Sequence, residues 1–127
     1  MAALGVHHGV PLRSAELAGS VNADPTFVRR VVSKLAKAGL VTTARGRGGA
    51  CTLSRAPEEI TLLEIYRASE APAAFAVHGY PVEENCRVSR NIKGCMDDVL
   101  RAAQDGFEQR LAEQTLAGMV ATIRSRR

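Results

Sequence analysis

Tryptophan is absent and other aromatics are scarce, with three Phe and two Tyr in 127 residues. Such a chain lacks the ring-lined concavity on which small-molecule sites are usually built. Cysteine is thin as well. Cys51, Cys86 and Cys95 are odd in number and widely spaced, which excludes a disulfide-framed secreted domain, and no C-x-x-C occurs. No His stands beside a Cys in the sequence, so no nucleophile and base pair is legible and no enzyme is expected. Long apolar runs are missing too. The best stretch, Ala71 to Val82, is interrupted by Pro72, His78, Gly79 and Pro81, and falls short of the roughly 20 apolar residues that a membrane helix needs. The opening MAALGV has neither a basic start nor a cleavage pattern, so it is not read as a signal peptide, and a cytoplasmic protein is expected.

What the chain does have is unevenly distributed charge. The overall balance is +4. Residues 1–55 carry eight Lys and Arg against two acids, Glu16 and Asp24, whereas the remainder carries nine against eleven. A basic front half on a mildly acidic back half points to a polyanion as the partner of the first half. A chain of this length builds one domain with a real core, with or without an appended arm.

Local patterns give that front half a shape. Ser14 to Ser20 reads as a short helix capped by Ser14, with Leu17 and Ala18 inward. In VNADPTFVRRVVSKLAKAGL, Asp24 is the N-cap, Pro25 occupies the first helical position and Gly39 ends the helix. The 3.6-residue period predicts Phe27, Val28, Val31, Val32, Leu35 and Ala38 as the buried stripe, leaving Arg29, Arg30, Ser33, Lys34 and Lys37 outside. Two short helices about a tight turn, the second with outward cations, form a helix-turn-helix plan. Leu40 to Arg45 and Ala50 to Ser54 read as two strands joined by a turn at Gly46 to Gly49, a wing whose Arg45 and Arg47 aim at phosphates or a minor groove. Alternation with Leu53 turns Cys51 inward as a structural thiol. Thr61 to Glu64 is a capping box opening a helix to about Ser69, and residues 70 to 85 read as an irregular connector.

From about Arg87 to Arg124 the pattern is helical again, whether as one helix or as two divided at Gly94, Gly106 or Gly118. Its apolar stripe, with Met96, Leu100, Phe107, Leu111, Leu116 and Val120, is too long for one small domain to cover and predicts a homodimer. The expected architecture is mainly α with a β-hairpin wing: a winged helix-turn-helix domain over 1–69, a connector and sensor region over 70–94 and a dimerisation helix over 95–127.

The order of these parts, with AGLV, RGRGG, L-x-R-x-P-E-E-I-T-L-L-E and RASE in sequence between Ala38 and Glu70, resembles the Rrf-two family of bacterial winged-helix repressors, of the IscR, NsrR and CymR type. The resemblance implies a homodimer on a palindromic double-stranded operator. It assigns the recognition helix to Pro25–Lys34, with Pro25, Thr26, Arg29, Arg30, Ser33 and Lys34 at the DNA. It assigns the wing to Arg45, Gly46, Arg47, Gly48 and Gly49, and a signal response to the region of Cys86 and Cys95. Cluster-binding members place three close cysteines in the connector, and here only Cys86 and Cys95 stand there. The connector resembles the cluster-lacking branch, so no cofactor is expected. An iron-sulfur cluster would need further ligands such as His7, His8, His78, Glu83 or Glu84, or a second subunit. Without one, Cys86 beside Arg87 and Cys95 near Lys93 are candidate redox thiols. The competing readings are a cluster-sensing regulator and a winged-helix module that docks protein instead of DNA. The arginine-bearing wing argues against the second.

Overall fold

The computed structural model describes residues 1–45, 49–77 and 79–126. Six α-helices are present among them: α1 (Ala2–Val6), α2 (Ser14–Val21), α3 (Pro25–Lys37), α4 (Leu62–Ala68), α5 (Arg87–Ala112) and α6 (Leu116–Ser125). Strands β1 (Val41–Thr43) and β2 (Cys51–Leu53) pair antiparallel between α3 and α4, with Val41 opposite Leu53 and Thr43 opposite Cys51. A 3₁₀ turn over Pro57–Glu59 leads into α4.

Helix α3 is specified chemically at both ends. Asp24 Oδ1 accepts from the backbone N–H of Thr26 at 2.7 Å and of Phe27 at 3.2 Å, and Pro25 follows where its missing N–H costs nothing. These two amide donors hold the Asp24 carboxyl below its ordinary pKa. At the other end Gly39 takes φ +74°, which a side chain resists, and the Leu40 N–H then reaches back to the Leu35 carbonyl. Val28, Val32 and Leu35 form the buried stripe, narrower than the period suggests. Phe27 is 53% exposed, about 100° around the helix from Val28, and Ala38 is exposed as the C-cap residue that follows the last helical position. Helix α2 begins at Ser14, but its cap is Arg13, whose N–H donates to Glu16 Oε2 at 2.7 Å, so Ser14 lies inside the helix and is buried.

The hairpin is shorter than its β-branched sequence suggests and is held on its outer side by Leu12, which exchanges two backbone hydrogen bonds with Cys51. Cys51 is 1% exposed, and burial pushes its thiol pKa up, in keeping with an inert core thiol. The capping box at Thr61 is present: Thr61 Oγ1 accepts from the Glu64 N–H at 3.1 Å while Glu64 Oε2 accepts from the Thr61 N–H at 2.9 Å. Arg55 braces it, donating to Glu64 Oε1 at 2.7 Å. Leu62, Leu63 and Ile65 are only half-buried, and of these Ile65 packs against the core.

The C-terminal segment departs from the expected arm. The helical run breaks at residues 113–115, not at a glycine, and α6 starts anew with Thr115 Oγ1 accepting from the Gly118 N–H at 3.1 Å. Backbone hydrogen bonds stitch the break to the start of α4: Leu62 N–H to Gln114 O at 2.9 Å and Leu116 N–H to Ile60 O at 2.8 Å. Leu116 and Val120, read from sequence as dimer contacts, are buried at 1% and 5% in the winged core with Leu4, Leu17, Leu40 and Ile60. Their own chain covers them. Helix α1 passes so near that a Cβ at Gly5 would stand 2.7 Å from Val120 Cγ2, so glycine is what lets α1 and α6 meet.

The chain therefore divides into two compact units, with boundaries different from those the sequence suggests. The winged unit comprises Met1–Ala71 together with the chain from Leu111 onward, and the second unit is Pro72–Arg110. In the second unit, α5 carries most of the residues and buries none of its side chains fully, and Ala74 N–H donates to Gln104 Oε1 at 2.9 Å.

Candidate nucleic-acid interface

The turn between α2 and α3 is built by Asn22, which adopts the left-handed conformation at φ +50° and closes α2. This sharp reversal sets α3 across α2 with Val28, Val32 and Leu35 inward. Thr26, Arg29, Arg30, Ser33 and Lys37 are consequently exposed on the outer face, and Lys34 is half-exposed. Arg29 Nη2 donates to Thr26 Oγ1 at 3.3 Å, which draws the guanidinium back along the first turn. Lys34 Nζ lies 2.7 Å from Glu70 Oε2.

Beside α3 runs an open cleft of about 620 Å³. One wall is α3, through Pro25, Arg29, Val32, Ser33 and Ala36; the other is formed by the first turn of α2 and by the hairpin at Thr43, Ala44 and Gly49. The structure thus brings Pro25, Arg29 and Ser33 together with Gly49. Arg45 is exposed two residues past the first strand, while Gly46, Arg47 and Gly48 of the expected wing tip lie outside the described residues. Sequence reading missed Arg13, Ser14 and Thr43 on the cleft wall and the exposed Phe27 on α3. Arg13 had a signal, since the first turn of a helix presents unpaired N–H groups and a cation there adds to an anion-attracting edge.

The thiols are dispersed. Cys51 is in the winged core, Cys86 is half-buried just before α5 and Cys95 is exposed on α5. The Ser89 N–H points at Cys86 Sγ at 3.5 Å, so the sulfur stands at the N-terminal turn of the helix. Cys86 and Cys95 are nine positions apart along helical chain, roughly 13 Å at 1.5 Å per residue, and no disulfide joins them. Among the described residues no three His, Cys, Asp or Glu side chains converge to hold a metal ion; His7 caps α1 and is exposed, as is His8, and His78 lies outside the described residues. No helix among the described residues is long and apolar enough to cross a membrane.

A helix-turn-helix with its cationic second helix outward, followed directly by an antiparallel hairpin, defines a winged-helix DNA-binding protein. The Rrf2 (Rrf-two) family model, described as iron-dependent transcriptional regulator, matches residues 1–122, and the chain belongs to that family. YwnA of Bacillus subtilis (strain 168), which bears a provisional name as an HTH-type transcriptional regulator, is 39% identical over 79% of this chain and 74% of its own length. Among solved structures, CymR (YrzC) of B. subtilis, the global cysteine regulator, matches with a TM-score of 0.66 and 25% identity over 95% of this chain and 87% of its own. IscR of T. potens shares the fold with a TM-score of 0.69 at 22% identity, over 96% of this chain and 78% of its own. The protein is a DNA-binding transcriptional regulator and not an enzyme.

Proposed function

We propose that the protein acts in the cytoplasm as a homodimeric repressor, each copy laying α3 in the major groove of one half of a palindromic operator while the hairpin rides the flanking backbone. The observation that carries this reading is the outer row of α3, where Arg29, Arg30 and Ser33 stand exposed along the middle of the helix and Arg29 shares with Arg13 the wall of the open cleft. Arginine is suited to base edges because its planar fork matches the two acceptors of guanine, whereas lysine acts on phosphate as a point charge. Replacing Arg30 by alanine is therefore expected to weaken binding by about 1–3 kcal/mol and relax preference at one base position, on an operator selected from a random duplex pool by the parent protein. The check is a titration against the selected and randomised duplexes. Unchanged affinity for both removes α3 from the interface.

Two features support a thiol response without a resident cluster: Cys86 stands where the connector enters α5, and Cys95 is exposed along that same helix. A peroxide oxidises a thiolate to a sulfenic acid, and a second thiol then displaces water to give a disulfide; along α5 the distance requires that second thiol to come from another copy. Mild peroxide is expected to lower operator affinity, Cys86→Ser or Cys95→Ser to remove that response, and Cys51→Ser to leave it intact while modestly lowering stability. Titrations before and after oxidant check this, with an absorption spectrum and iron assay on anaerobically purified protein. Bound iron at one cluster per chain overturns the thiol reading.

A further inference from the structure

One cation of the recognition helix is already occupied. Lys34 is held at 2.7 Å by Glu70, and the two groups are not sequence neighbours: Lys34 is on α3, while Glu70 follows the end of α4. Glu70 reaches it through an uncommon backbone, φ +54°, with its own N–H donating to the Arg67 carbonyl at 3.0 Å. A non-glycine residue in the left-handed region costs free energy that its surroundings must offset. Here the reversal ends α4 and leaves the carboxylate over the exposed side of α3. Lys34 first and Lys37 second hold the Glu70 carboxyl below its ordinary pKa, which keeps the carboxylate charged at neutral pH. Glu70 is also the last residue but one of the winged unit before the chain passes to the connector.

We infer that Glu70 is a positioning residue for DNA binding, an internal stand-in for phosphate that keeps Lys34 of the recognition helix from contributing to sequence-independent affinity. The inference rests on α3 being the DNA-contacting helix. A duplex that recruits Lys34 must first displace the carboxylate, and it then meets the unpaired negative charge of Glu70 beside its own phosphates. While Lys34 stays on Glu70 it neutralises no phosphate and releases no counterion. The pair is solvent-exposed, so its hold is weak and its effect is a tuning of affinity, not a block.

The test is a salt titration of a random duplex of about 25 base pairs against the full-length parent, Glu70→Gln, Lys34→Gln and the double variant. Glutamine keeps the length of the side chain and the same backbone demand, removing only the charge. Glu70→Gln is expected to bind about two- to fivefold more tightly. Its plot of log affinity against log salt should steepen by about 0.9, one further phosphate neutralised. In the Lys34→Gln background the same substitution should leave the slope unchanged. Unaltered affinity and slope in Glu70→Gln overturn the inference, and so does an equal gain with and without Lys34, which would make Glu70 a general source of repulsion. A parent that shows no salt-dependent binding at all removes the DNA-contacting role of α3 itself, and its own titration distinguishes that failure from the others.

Discussion

Leu116→Ala is expected to lower the stability of the winged unit by about 2–5 kcal/mol while leaving self-association intact, because the side chain fills the protein's own core. Leu116 is 1% exposed and shares the largest fully buried positions with Leu40, Ile60 and Cys51. Its backbone N–H is fixed on Ile60 O at 2.8 Å, so the helix cannot easily shift to close the space that truncation opens. That rigidity places the cost in the usual range for leucine truncation, the transfer term and the unfilled cavity acting together. Urea denaturation followed by circular dichroism measures the loss, and light scattering measures the mass. A parental midpoint with a halved mass would return Leu116 to the subunit interface.

The same residue shows where the sequence could be read and where it could not. Helix α3 was legible because each end carries its own chemistry, Asp24-Pro25 at one and Gly39 at the other, and local hydrogen bonds need nothing distant to form. The capping box at Thr61 was legible for the same reason. The break before α6 also had a signal. Leu111 and Leu116 are five positions apart, one too many for a continuous stripe, and Thr115 precedes the second run as an N-cap. The fate of α6 was beyond local reading: nothing in LAGMVATIRS says that the surface it covers is Gly5 of α1, more than a hundred positions earlier. An apolar face looks the same whether its own chain or another buries it. The pairing of Lys34 with Glu70 is likewise a product of tertiary approach.

With Leu116 and Val120 in the core, α5 is left to carry the seam of the proposed homodimer, and Val99→Arg is expected to separate the copies and reduce operator affinity at least a hundredfold. Val88, Ile92, Met96 and Val99 follow one another at intervals of four, four and three, which keeps them on one side of a helix of 26 residues, about 39 Å long. All four are exposed, Val88 at 68% and Val99 at 59%. Four exposed apolar side chains along about 17 Å of one helix form the kind of surface that a second copy covers, and a two-fold axis across it sets the same stripe against itself. An arginine at Val99 would place two like charges near that axis, each buried without a partner. Because the native side chain is exposed, the substitution should leave the single chain folded, with its melting midpoint shifted only by loss of the partner. Operator affinity falls for a separate reason: two linked recognition helices bind the second half-site at an effective concentration on the order of millimolar, and an isolated copy forfeits that factor of about 10²–10⁴. Met96 and, part-buried beside it, Leu100 belong to the expected seam. Light scattering at micromolar protein, paired with titration of the selected operator, reads both consequences in one sample. A parent that is already monomeric, or a Val99→Arg variant that keeps parental mass and parental affinity, places the dimer seam somewhere other than α5.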